Sequence, residues 1–159
     1  MSNTRPPFPV GGAVLVARVL LGGLFIFAAV MKLRDVQGFA FAVQAFDIIP
    51  KNANHVSQLL AFVVPWTELV LGICLVLGLW VRAASLLLSI LLLAFIAGLA
   101  SVLIRQMNIT CECFGRFEFP CKGQVSPCHI IRNCVLLAVT LFVLWKGPGS
   151  LAVDRQSTN

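Results

Sequence analysis

Four runs of roughly 20 apolar residues set the terms for this chain, because each is long enough to cross about 30 Å of hydrocarbon at 1.5 Å per residue. They cover about residues 11–31, 59–80, 83–104 and 128–145. The runs are continuous rather than alternating, and lipid obliges every segment to satisfy its own backbone groups, so helices are expected and barrel strands are not. With 59% hydrophobic residues against 11% charged, the composition lies far outside the soluble range. The expected fold is an all-α membrane protein, a single domain over residues 1–159 built as a four-transmembrane-helix bundle in contact with membrane lipids.

The first run is longer than the apolar core of a signal peptide, lacks a small-x-small cleavage site and ends in Met31-Lys32, so it reads as a retained span. Between the first two runs, Val36, Phe39, Val43 and Phe46 recur at helical spacing until Pro50 stops the pattern. That spacing predicts an amphipathic helix at the membrane surface. Only Val81 and Arg82 separate the second and third runs, which predicts a tight antiparallel hairpin. The tail from Lys146 onward carries no readable function.

Four spans place both chain ends on one side, and the loop before the last span on the other. Arg5, Arg82, Lys146 and Arg155 fall on the terminal side. Lys32, Arg34, Lys51, Arg105, Arg116, Lys122 and Arg132 fall on the loop side. Counting cations would make the loop side cytoplasmic. Its cysteines argue the reverse, since lasting disulfides belong outside a reducing cytosol; the expected loop face is extracytoplasmic. The net charge of +6 comes without basic patches interleaved with aromatics, which suits lipid headgroups and gives no sign of nucleic acid as a partner.

Residues 109–134, ITCECFGRFEFPCKGQVSPCHIIRNC, hold five of the six cysteines. Ser126-Pro127-Cys128 reads as a helix start, with serine at the N-cap, proline at the first helical position and Cys128 at the second. A sulfur there meets exposed amides and the positive end of the helix dipole, and Arg132 one turn on adds a cation. Both favour the thiolate, which makes Cys128 the leading candidate for a reactive thiol, with structural pairing to a loop neighbour as the alternative. Cys111 and Cys113 stand one residue apart, so a bridge between them closes a small, strained and easily reduced ring. Cys121 lies between that pair and Cys128, and Cys134 lies further into the last helix. A relay running Cys111/Cys113, Cys121, Cys128, Cys134 is one arrangement among several connectivities. Zinc on Cys111, Cys113, Cys121 and Cys128, with His129 in reserve, is the rival; the spacing departs from the usual knuckles and no metal is assigned. Cys74, inside the second span, reads as an apolar filler.

Two charged residues fall inside spans, Arg18 in the first and Glu68 in the second. Counted inward from their shared connection, their depths differ by roughly 6 Å, so the two side chains are expected to meet. An intramembrane charge is costly unless paired or set in a polar cavity. The pair is either a lock between two helices or part of a quinone or proton site. No histidine pair occupies haem-ligating positions within the spans.

These residues resemble the MauE/DoxX family of small redox-associated membrane proteins over about residues 14–145. The likeness rests on the arginine of ARVLLGGLFIFAAVMKLRD, the Pro and Glu of PWTELVLGICLVLG, and CECFG followed by the Arg-Asn of HIIRN. The last element is specific to the MauE branch, and Cys111, Cys113, Phe114, Gly115, Arg132 and Asn133 match its motif positions. Cys121 and Cys128 fall between motif elements and rest on local chemistry alone. The resemblance implies a bacterial inner-membrane protein of methylamine utilisation that assists maturation of a periplasmic quinoprotein dehydrogenase with a disulfide-rich small subunit.

Three function classes follow. One is a thiol-disulfide oxidoreductase or accessory maturation factor, working through Cys111, Cys113, Cys121, Cys128 and Arg132 on a thioredoxin-like or dehydrogenase partner. Thiols at the start of the last of four helices are also similar to the vitamin K epoxide reductase arrangement, though its CxxC is absent. Another is a DoxX- or DoxD-like subunit passing electrons to quinone, for which Arg18 and Glu68 carry the weight. The third is a structural subunit with stapled or zinc-bound cysteines.

Overall fold

The computed structural model describes residues 8–45, 54–105 and 126–147. Among these residues five helices follow in order: α1 (Phe8–Arg34), α2 (Val36–Ala45), α3 (Asn54–Leu77), α4 (Val81–Ile104) and α5 (Pro127–Lys146). Four contain stretches long and apolar enough to cross a membrane, at Gly11–Arg34, His55–Leu77, Val81–Ile104 and Pro127–Lys146. The expected all-helical bundle, with a short helix between the first two spans, is therefore present.

Each long helix turns one stripe inward with alternating four- and three-residue steps. In α1 the buried positions include Val14, Arg18, Leu21, Phe25, Ala28 and Lys32; in α3 they include Ser57, Ala61, Glu68, Leu71 and Leu75. A repeat of that period belongs to helices packed side by side along a left-handed seam. The outward positions are apolar too, among them Leu20, Phe62, Leu87, Leu93 and Phe142, as a lipid solvent requires.

Helix α1 packs most extensively on α3, and α4 on α5, while lighter contacts join α3 to α4 and α1 to α5. The bundle is two tight pairs set against each other. Lipid tails are as apolar as leucine, so helices in a membrane associate through close packing rather than through escape from water. In the first pair that closeness comes from two glycines: a Cβ on Gly22 would lie 2.7 Å from the Gly72 carbonyl oxygen, and a Cβ on Gly72 would lie 2.9 Å from that of Gly22. Leu21, Phe25, Leu71, Leu75, Leu88, Leu92 and Val143 fill the core around this crossing.

Two details differ from expectation. The α3–α4 turn is Gly78-Leu79-Trp80 rather than Val81-Arg82: Gly78 takes φ 75°, the Leu79 N–H donates to the Cys74 carbonyl at 2.9 Å, and this Schellman closure stops α3. Val81 is fully buried and opens α4. The first span runs on to Arg34, because Lys32 turns inward instead of marking the membrane edge. In α2 the predicted apolar stripe packs on α3, with Phe39 buried and Phe41 facing out. Asp35 starts α2 by accepting the Gly38 N–H at 3.0 Å. Phe46 lies outside the described residues.

Candidate functional site

The start of α5 is built as its sequence predicts. Ser126 is the N-cap, in extended conformation at φ −133° and ψ 163°, and Pro127 occupies the first turn. Ser126 and His129 form a capping box. The Ser126 N–H donates to His129 Nδ1 at 3.2 Å. The His129 N–H donates to the Ser126 carbonyl at 3.0 Å, and the Ser126 hydroxyl lies 3.2 Å from His129 Nδ1. One turn on, the Asn133 side-chain amide donates to the His129 carbonyl at 2.8 Å. His129 and Asn133 are both buried.

Cys128 stands at the second helical position, exposed, and it is disulfide-bonded. Its partner cysteine lies outside the described residues, as do Cys111, Cys113 and Cys121. Cys74 and Cys134 are free thiols. Six residues of helix set Cys134 about 9 Å along α5 from Cys128 and about a third of a turn away, so the helix does not bring these two sulfurs together. Among the described residues no three metal-ligating side chains cluster. Of the zinc candidates only Cys128 and His129 are described; the Cys128 sulfur is bonded to sulfur and His129 Nδ1 accepts the Ser126 N–H.

Beside this helix start lies a charged centre that the sequence reading did not assemble. Lys32 Nζ donates to Glu68 Oε1 and to Glu68 Oε2, each at 2.7 Å, with both side chains 2% exposed. The ammonium also sits 5.2 Å from the Phe39 ring centroid and 4.7 Å from that of Phe95. Arg132, half-buried on α5, acts on it electrostatically. Lys32 on α1 thus touches or feels a residue from every other helix. Two carboxylate bonds and two ring faces take up a cation that hydrocarbon would otherwise exclude.

Glu68 therefore pairs with Lys32, not with Arg18. The glycine crossing explains why: Arg18 comes four residues before Gly22, Glu68 comes four before Gly72, and the helices run antiparallel. That puts the two on opposite sides of the crossing, about 12 Å apart along the axis. Arg18, 1% exposed, belongs instead to the half of the bundle that holds Ser85, Ser89 and Thr140. Apolar length alone sets Lys32 at the membrane edge, because it ends the first apolar run. Its position in the buried stripe of α1, four residues past Ala28, was the available signal. Next to the charged centre, Phe39, Val43, Leu60, Val64, Leu91 and Phe95 line an apolar cavity of about 250 Å³.

The family model for methylamine utilisation protein MauE matches residues 11–146, which takes in all four spans, the charged centre and the start of α5. The chain belongs to the MauE family. Within it, the methylamine utilization protein MauE of Paracoccus denitrificans is 35% identical over 135 residues, covering 84% of this chain and 69% of the relative. No solved structure matches the chain. Of the residues matching the MauE-branch motif, Arg132 acts on Lys32 and Asn133 donates to the His129 carbonyl within α5. Cys111, Cys113, Phe114 and Gly115 lie outside the described residues.

Proposed function

We propose that this MauE-family protein acts in methylamine utilisation as a membrane thiol-disulfide exchange factor, assisting maturation of a disulfide-rich periplasmic dehydrogenase. The observation that carries the proposal is the Cys128 disulfide, exposed at the second position of α5. Sulfur at a helix N-terminus is a good leaving group, because the exposed amides and dipole stabilise the thiolate released. A thiolate of the partner protein attacks the sulfur joined to Cys128, the bonding pair leaves on Cys128, and a mixed disulfide forms. A second partner thiolate then displaces the chain, leaving the partner oxidised and the Cys128 pair reduced. Arg132, one turn along, offers the departing sulfur a cation. With Cys74 and Cys134 free, the Cys128 partner and any further exchanging thiol come from Cys111, Cys113 and Cys121.

The exchange face is periplasmic and the membrane is the bacterial inner membrane in this reading. What supports this orientation is the disulfide, which lasts outside a reducing cytosol. Lys32, held by Glu68, is not an edge signal, and the remaining loop-side cations still outnumber those of the terminal side, so the orientation rests on the disulfide and not on the cation count.

One observation favours an added quinone step. The cavity beside Lys32 and Glu68 is apolar and suits a ring drawn from the bilayer. There a quinone would take two electrons and two protons from the reduced cysteine pair and leave as quinol. Glu68 belongs to this corner of the bundle; Arg18 does not.

The test is replacement of Cys128 by serine in cells growing on methylamine, with the disulfides of the dehydrogenase small subunit read by mass spectrometry. The expected result is loss of growth and under-oxidised subunit. Normal growth with a fully oxidised subunit would overturn the proposal.

A further inference from the structure

The start of α5 uses an imidazole where a helix start ordinarily uses a glutamate or glutamine. In a capping box the third helical residue reaches back to the N-cap amide. Here the Ser126 N–H donates to His129 Nδ1 and the Ser126 hydroxyl lies 3.2 Å from the same nitrogen, so Nδ1 serves as the box acceptor, a role an uncharged imidazole can fill without a carboxylate. His129 is 2% exposed, and the first turn of α5 contains no acidic residue. A glutamate at position 129 would close the same box while placing a negative charge one residue from Cys128. Such a charge would satisfy the helix dipole that the sulfur otherwise meets.

We infer that His129 is a positioning residue for Cys128: it fixes the helix start as a neutral acceptor, which keeps the N-terminal field directed at the sulfur when the disulfide opens. This rests on the exchange reading for its purpose, but its chemistry is a property of the thiol alone. When the bond to Cys128 is broken by an incoming thiolate, the electron pair lands on Cys128 Sγ. The four residues Ser126, Pro127, Cys128 and His129 then make a helix start that accepts that charge. Asn133, bonded to the His129 carbonyl, holds the turn beneath it.

The experiment compares full-length protein, reduced and purified in detergent, carrying His129→Gln or His129→Glu. The readout is the rate at which iodoacetamide alkylates Cys128 at neutral pH, followed on its own peptide. Glutamine is also a capping-box residue and is neutral, so its rate is expected within about twofold of the parent. Glutamate is expected to slow alkylation by roughly three- to tenfold, the scale of one charge in the first helical turn. Because a buried glutamate risks misfolding, Ser126→Asp against Ser126→Asn repeats the comparison at a half-buried N-cap where both residues cap well. The aspartate variant is expected to be the slower. Equal rates within both pairs would overturn the inference, as would a glutamine variant as slow as the glutamate one. Failure of the Cys128→Ser growth test with these rate differences intact would sink the exchange function and leave the positioning role standing.

Discussion

Lys32 is the residue on which the interior depends, since its ammonium is held by Glu68 and faced by Phe39 and Phe95. Removing one partner of a buried ion pair leaves an uncompensated charge, which costs about 3–5 kcal/mol, whereas removing both together is often nearly neutral. Lys32→Met and Glu68→Met are each expected to lower thermal stability in detergent sharply, and the double variant to recover most of the loss. Strictly additive losses in that double-mutant cycle would show that the two side chains do not act as a pair. The sequence made part of this legible. Ser126-Pro127-Cys128 announced a helix start because capping depends on local residue types, and Glu68 announced itself because a carboxylate inside an apolar run needs a partner. The partner's identity is not local: it depends on where α1 and α3 cross, and depth counted from the loop points to Arg18 instead of Lys32.

At the level of helices, the crossing of α1 and α3 is set by Gly22 and Gly72, each of which leaves no room for a methyl group against the other backbone. The neighbouring Gly23 has nothing within 4 Å of where its Cβ would stand, so the two adjacent glycines make opposite predictions. Gly22→Ala is expected to push the helices apart and destabilise the protein by about 1–3 kcal/mol. Gly23→Ala is expected to be neutral or to stabilise by up to about 1 kcal/mol, through better helix propensity. Thermal unfolding of the two variants checks both, and equal losses would contradict the close crossing. Span existence was legible from apolar length alone, and the edges were less so. Gly78 stopped α3 by adopting a left-handed conformation inside a run that hydropathy reads as continuous, and an ion pair drew Lys32 inside a boundary that charge would have drawn earlier.

Over the whole molecule, two tight helix pairs bring one charged centre and one disulfide-bearing helix start to the same end of the bundle. The four-span plan follows from the sequence because it needs only chain-long composition. The shared centre does not, because it takes one residue from each of five helices and no single segment shows it. In the proposed function the Cys128 disulfide faces the periplasm and cycles there. This is tested most directly by treating intact cells with a membrane-impermeant maleimide, before and after mild reduction, and reading Cys128 by mass spectrometry. Labelling from outside is expected to rise steeply after reduction, with a steady minor labelled fraction without it in cells growing on methylamine. Labelling only after the cells are opened would contradict it.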